Sequence, residues 1–354
     1  MNKKLILTSF VALLSACDSG NGKVENMIPK EIDGLKVYTE YDTKRCGQKN
    51  KDGNFIQRCL KDSGEFLTGV IYFRHDLKDV REEIDYYNNG WRVKFVKKEN
   101  GIVTSEENFD IDEKNDLQTS NGKSYFDNGN LHCEWQDIRE IKSYQTVKDK
   151  RTCYYIDGVL EAVHTMDKEL GTVENLSYDR EGKLFLKGVK AYEYDTESNE
   201  TQGIEKNMYD KWVRYDANGD LFNGTATFYL PKDPTKVSSN ASIKNGKLDG
   251  ESHYYHYEEI DSLKEEIDTY KNGVIQKIVN IYRDETRNPN TVYFAGDNSI
   301  SISFDYSGKA SVFCRYKNTN ASISISGAVA DNFVKKFEQD TTKSLCPDIS
   351  SLLK

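Results

Sequence analysis

The chain has 354 residues, of which 30% are charged and 37% hydrophobic, and its formal net charge is −9. Its 23 Tyr, 15 Phe and 3 Trp exclude a disordered chain, which lacks the apolar surface to offset ordering entropy. No internal apolar run nears the ~20 residues of a spanning helix, and the acidic balance excludes nucleic acid as an expected partner.

The first residues read as an export leader. Lys3 and Lys4 precede an apolar run, Leu5 to Leu14, of signal-peptide rather than membrane-spanning length. Leu14-Ser15-Ala16-Cys17 follows and resembles a bacterial lipobox. The resemblance implies that residues 1–16 are a lipoprotein signal peptide. It implies cleavage before Cys17, diacylglycerol on its thiol and acylation of the new amino terminus. The competing reading is an ordinary secretory leader. Two or more acyl chains anchor a protein stably. Residues 17–31 then form a lipidated polar tether, and the protein faces the periplasm. Asp18 is similar to the inner-membrane retention signal of enterobacterial lipoproteins, and either membrane stays open. Loss of Lys3 and Lys4 takes the 49 basic residues to 47, against 58 acidic ones. Such a surface suits a basic protein partner.

The cysteines agree with export. Besides Cys17 there are Cys46, Cys59, Cys133, Cys153, Cys314 and Cys346, and an oxidising compartment favours disulfides. Residues 32–59 read as an N-terminal hairpin region broken by Asp33-Gly34 and Asp52-Gly53. A two-residue type I′ turn at Asp52-Gly53 pairs Lys51 with Asn54 and sets Cys46 directly opposite Cys59, within disulfide range. Cys133 and Cys153 flank a turn near Ser143, leaving Cys314 for Cys346. No Cys-x-x-Cys or Cys/His spacing points to a metal.

Residues 60–287 carry a repeated unit. Ile243 to Tyr257, IKNGKLDGESHYYHY, shows it best: an apolar residue, Asn245-Gly246, Leu248 two after that glycine, Gly250, then an aromatic strand. The turn glycines are Gly64, Gly90, Gly129, Gly158, Gly182, Gly219, Gly246 and Gly273. Tyr86, Tyr125, Tyr154, Tyr178 and Tyr215 stand four before their glycines, whereas Ile243 and Tyr270 stand three before theirs. Asn100-Gly101 reads as a degenerate copy. Of 24 glycines, 13 directly follow Asn or Asp, which selects hairpin turns over flexible linkers. A fixed period of this size means an array of units whose neighbours must stack to bury their faces. The tyrosines are expected in cross-strand pairs.

Residues 288–354 change register. Thr291 to Tyr316 reads as three strands with a turn at Ser307-Gly308, and Ser322 to Ser326 alternates Ser and Ile. Val329, Phe333 and Phe337, four apart, predict an amphipathic helix that covers a sheet end. The expected architecture is mainly β: an extended antiparallel sheet of repeated hairpins with a C-terminal strand and single-helix cap.

The pattern Y-x-x-N-G-x-L with a downstream glycine and aromatic pair resembles the bacterial variant of the membrane occupation and recognition nexus (MORN) repeat, found in proteins of the YwqK-type antitoxin family. Tyr215 to Tyr229 and Ile243 to Tyr257 carry it best. Arg92 departs from it, standing where the leucine is expected. The resemblance implies neutralisation of a toxin by direct binding.

Catalytic and cofactor motifs are missing: no Gly-x-Ser-x-Gly, phosphate loop or His-Glu-x-x-His. His253 and His256 fall on opposite strand faces. Asp110 to Asp116 is acidic but lacks the glycine and terminal glutamate of a helix-loop-helix calcium site. The expected function is therefore non-enzymatic, without cofactor: a lipid-anchored envelope binding protein of immunity type that sequesters a toxic effector. The alternatives are a structural or adhesive envelope lipoprotein binding lipid, glycan or another envelope protein, and a hydrolase with a paired-acid site.

Overall fold

In the computed structural model, residues 28–76, 80–192, 210–257, 263–295, 298–305, 307–315 and 322–339 are described. The expected signal peptide, Cys17, most of the tether and Cys346 lie outside the described residues.

The fold is mainly β. Thirteen strands, from Glu31–Ile32 to Val213–Tyr215, form one sheet. Nine strands, from Gly224–Leu230 to Ser322–Ser326, form a second. Thr43–Lys49 and Phe55–Leu60 pair as a separate hairpin. Strands in the large sheets pair antiparallel with their sequence neighbours, with one exception: Leu35–Tyr38 runs parallel to Gly69–Asp76, setting Val37 opposite Val70. The separate hairpin is the excursion that a parallel step requires. The change of register near residue 288 does not break the sheet, because Val274–Tyr282 and Asn290–Ala295 pair across it. The break between sheets falls between Tyr215 and Gly224.

The offset of three or four before each glycine is a difference of turn type. Asn89-Gly90, Asn100-Gly101, Asn245-Gly246 and Asn272-Gly273 have positive φ at both residues, as two-residue type I′ turns require. At Gly129, Gly158, Gly182 and Gly219 only the glycine is left-handed. There the glycine N–H donates to the carbonyl three residues back, as Gly219 does to Asp216. This longer turn adds one residue to the hairpin. Tyr125, Tyr154, Tyr178 and Tyr215 accordingly pair with Leu131, Leu160, Leu184 and Leu221. The partners are leucines, two past each glycine. In the first type I′ unit the paired residue is Tyr87, opposite Arg92, rather than Tyr86. Asn121-Gly122 and Asp249-Gly250 are strand positions rather than turns, and Gly224 opens a strand directly after Asn223.

One joint recurs along the array. Arg58 N–H donates to Gly90 O, Gly90 N–H to Leu67 O, and Leu67 N–H to Arg58 O, closing a ring of three backbone hydrogen bonds. Arg214, Gly246 and Phe222 close the same ring. At the third copy Asp210 N–H donates to Gly273 O and Gly273 N–H to Leu248 O, while Leu248 N–H reaches the Asp210 carboxylate instead. Each joint seats the turn of one hairpin against an earlier strand. A side chain before the downstream glycine steadies it: Thr68 Oγ1 accepts from Asn89 N–H, and Asn223 Oδ1 from Asn245 N–H. The residue two or three past a turn glycine, with the next glycine beyond it, is thus the socket for the following turn.

Apolar clusters hold the ends and the junction. Val70, Tyr72, Ile84, Tyr86 and Val96 pack with Ile32, Leu35 and Val37. Leu186 of the first sheet packs with Ala226, Ile243 and Leu248 of the second. The α-helix, Ala328–Gln339, buries Ala330, Phe333 and Val334 against Ile300, Ile302, Ala310 and Val312. Val329 is exposed, so the buried stripe starts one residue later than its spacing with Phe333 predicts. Asp331 accepts the Ala310 N–H at 2.9 Å, tying the helix to the sheet.

A D-x-Y-x-N-G segment occurs at Asp85 to Gly90 and again at Asp268 to Gly273. In the first, Arg92 lies 2.6 Å from the Asp85 carboxylate, which explains why the leucine is replaced there. In the second the equivalent residue is the buried Ile275. Burial pushes the Asp268 carboxyl from 3.8 to about 6, with Glu266 adding to the rise. Neither Asp268 Oδ1 nor Oγ of the fully buried Ser252 opposite has a hydrogen-bond partner among the described residues. A carboxyl raised in the folded state stabilises the fold fully below its unfolded pKa, and that stability is lost as pH rises through the folded value. The rise from 3.8 to about 6 corresponds to about 3 kcal/mol. Asp268→Asn is therefore expected to gain up to about 3 kcal/mol over the wild type at pH 8, and to gain nothing at pH 3.5. Denaturant unfolding at both pH values checks this; equal gains would place the effect elsewhere than in titration.

Candidate binding site

Two neighbouring strands, Leu131–Glu140 and Thr146–Tyr154, set the site. Cys133 lies opposite Cys153, Trp135 opposite Arg151, and Asp137 opposite Asp149. Alternation puts all six side chains on one face. The Cys133–Cys153 disulfide, with Cα atoms 4.1 Å apart, locks the register that brings tryptophan and arginine together. The next strands continue the face: Arg151 opposite His164, His164 opposite Asn175, Asn175 opposite Gly188, and Val173 opposite Lys190.

The tryptophans sit over glycines. A Cβ on Gly122 would lie 2.2 Å from the Trp135 ring, and one on Gly188 would lie 3.1 Å from Trp212. Each indole fills the space of the missing side chain. Trp135 Nε1–H donates to Glu107 at 3.2 Å. The Arg151 guanidinium lies 5.6 Å from the Trp135 ring and Lys190 Nζ 4.9 Å from the Trp212 ring, within cation–π reach. Neither cation has a carboxylate partner among the described residues. His164 Nδ1 is 2.5 Å from Asn175 Oδ1, and its Nε2 is 3.6 Å from Asp149. Trp135, Asp149, Arg151, His164 and Lys190 line a cleft of about 510 Å³ together with Arg139 and Lys211.

A second cleft, of about 360 Å³, adjoins it and shares Asp137 and Arg139. Its far wall is the separate hairpin, which contributes Arg45, Gln57 and Arg58. The hairpin is fastened over the sheet by Lys51 N–H to Lys142 O and by Gln48 Nε2–H to Glu113. Glu113 also accepts from Trp91 Nε1 at 2.9 Å, so one carboxylate of the acidic 110–116 stretch has a structural task. Arg92 lies over Phe95 and Phe109. Asp137 is only 5% exposed. Burial pushes its carboxyl pKa up, opposed by Arg139, and its Oδ1 has no hydrogen-bond partner among the described residues.

Two disulfides link the described cysteines, Cys46–Cys59 and Cys133–Cys153. The first forms in a different register from the expected one: Cys46 lies opposite Gln57 and Cys59 opposite Lys44. The Asp52-Gly53 turn is longer than two residues, because Asn50 accepts from both Asp52 N–H and Asn54 N–H through its side chain. A bulge at Gly47 and Gln48 shifts the pairing further, and the bridge runs diagonally with Cα atoms 5.9 Å apart. Cys314 is buried in the second sheet; its expected partner Cys346 lies outside the described residues. Of the eight turn glycines, Gly90, Gly246 and Gly273 join one hairpin to another, and none of the eight lines the clefts. Trp135, Arg151, Asp137 and Lys190 were not singled out by motif. One signal could have found the first two: carrying the Cys133–Cys153 pairing two places toward the turn sets Trp135 opposite Arg151.

The geometry defines a class, an antiparallel hairpin-repeat protein with a polar, tryptophan-lined sheet face. No family model matches the chain, and no curated protein matches it. Among solved structures it is similar to a porin-like protein from Bacteroides uniformis at 12% identity, over 63% of this chain and 94% of that one, with a TM-score of 0.15. It is also similar to TcdB2-TccC3 without its hypervariable C-terminal region, at 11% identity over 80% of this chain and 15% of that one, with a TM-score of 0.14. Superpositions this slight carry no argument about fold or function.

Proposed function

We propose that this protein is a lipid-anchored envelope binding protein of immunity type, which neutralises a toxic effector by direct contact. One observation supports the binding reading above the others. All three tryptophans of the chain, Trp91, Trp135 and Trp212, line or border one sheet face, Trp91 and Trp135 beside arginines and Trp212 beside Lys190. Tryptophan and arginine are the residues that dominate protein interfaces energetically, and Trp135 and Arg151 stand on a disulfide-braced strand pair that needs little ordering on binding. The leader and Cys17 in the sequence support an envelope location, and the resemblance to the antitoxin repeat supports a toxic partner. Cells lacking the protein are expected to be killed beside toxin-producing siblings and rescued by the intact gene. Full resistance of the deletion strain refutes immunity. Affinity capture of an envelope component in strains without any toxin would instead favour the structural or adhesive role.

A further inference from the structure

The chain is acidic overall, yet the two clefts are not. One is lined by Arg139, Arg151, Lys190 and Lys211 against Asp137 and Asp149. The other is lined by Arg45, Arg58, Arg92 and Arg139 against Glu107 and Asp137. The opposite face of the same strands is balanced, with Glu106 and Glu134 beside Lys123 and Lys150. The folded sheet therefore gathers cations into one groove of a net acidic protein; Arg58, Arg92 and Arg139 are paired with Glu40, Asp85 and Asp137. Arg151 and Lys190 rest on tryptophan rings without carboxylate partners among the described residues. At the floor, Asp137 is buried with an unpartnered oxygen.

We propose that this groove is the docking site for an acidic, extended segment of the protein partner. The inference rests on the reading of the chain as a protein-binding repeat protein, and it names the partner's chemistry. A carboxylate on the segment meets the Arg151 guanidinium, where charge-assisted hydrogen bonds are strong. A second meets Lys190. The two cations stand three strands apart, roughly 15 Å with their diagonal offset at ~4.8 Å per strand. An extended chain at ~3.4 Å per residue covers that span in four to five residues. Apolar side chains between the acids lie on the open sides of Trp135 and Trp212. The overall negative charge then rejects acidic proteins that do not thread the groove, which is a source of specificity.

The test uses the purified full chain with its own three tryptophans as reporters. The probe is a ten-residue oligoglutamate, with oligolysine and polygalacturonate as comparisons. Oligoglutamate is expected to change tryptophan fluorescence and to bind less tightly as salt rises. The paired change Arg151→Glu, Lys190→Glu is expected to weaken binding by roughly tenfold or more, and Arg151→Gln, Lys190→Gln by less. Thermal unfolding of both variants confirms that they fold. Binding of oligolysine as tight as oligoglutamate, binding of polygalacturonate alone, or equal affinity of folded wild type and charge-reversed protein each overturns the proposal. Capture from envelope extracts separates it from the parent reading. A protein retained equally by wild type and charge-reversed chain sinks the groove while leaving the binding function standing. No protein retained by the wild type sinks both.

Discussion

Gly246→Ala is expected to destabilise the protein by about 4 kcal/mol, whereas Gly129→Ala costs only about 1 kcal/mol. Both glycines have positive φ, 73° and 82°, and both would pay the left-handed penalty of an L-residue. They differ in what surrounds them. A Cβ on Gly129 meets nothing within 4 Å. A Cβ on Gly246 would lie 2.8 Å from Arg214 O and 3.0 Å from Leu221 Cδ2. The first of these is backbone inside the ring of three hydrogen bonds, so it cannot swing away as a side-chain end can. Overpacking adds about 1–3 kcal/mol and opens the joint between the two sheets. Gly90→Ala is expected to behave like Gly246→Ala, because its Cβ would meet Phe66 at 2.7 Å and Arg58 O at 3.0 Å. Denaturant midpoints measure all three, and hydrogen exchange locates the loss at the joint. Equal costs for Gly129 and Gly246 would mean that the turn alone, not the joint, requires glycine.

Removing the Cys133–Cys153 bridge by Cys133→Ser, Cys153→Ser is expected to cost about 3 kcal/mol, from the freedom restored to the unfolded chain by opening a loop of this length. The bridge spans 20 residues. A second effect follows from its place. The disulfide is one rung from the Trp135–Arg151 pair on the same face, and a one-residue slip of either strand would carry its alternate side chains to the other face. The double variant is therefore expected to lose partner capture at temperatures where it is still folded. Loss of stability with capture unchanged would show that the neighbouring strands hold the register without the bridge. The Cys46–Cys59 bridge offers a comparison. It closes 13 residues in the hairpin that walls the second cleft, so its loss is expected to affect stability similarly and the Trp135 environment less.

Much of the fold was legible in the sequence because its signals are local. A type I′ turn needs positive φ at two adjacent residues, and Asn-Gly meets that need within the dipeptide itself. Asn89-Gly90, Asn245-Gly246 and Asn272-Gly273 adopt it. Three strands between residues 290 and 315, the Ser-Ile strand and the single C-terminal helix follow from period and composition in the same way. The pairing of Cys133 with Cys153 followed from a turn between them. Where the local reading went astray, a neighbour competed. The Asn50 side chain captured the Asp52-Gly53 turn, and the helix turned Val329 outward because Ala330 fits against the sheet.

The site was not legible, since its parts are not local. Arg45, Arg92, Arg151 and Lys190 are scattered over about two-fifths of the chain, and composition records only that acids outnumber bases. By itself the sequence determined a β-hairpin array with left-handed glycines at its turns, because backbone sterics act over two or three residues. Tertiary structure alone decided which glycines are sockets for another strand and which carboxylates stay unpaired. It also decided that the cations of an acidic chain gather beside tryptophans on one face. Those outcomes depend on the register between strands distant in sequence, and register is set by the sum of many pairings rather than by any one segment.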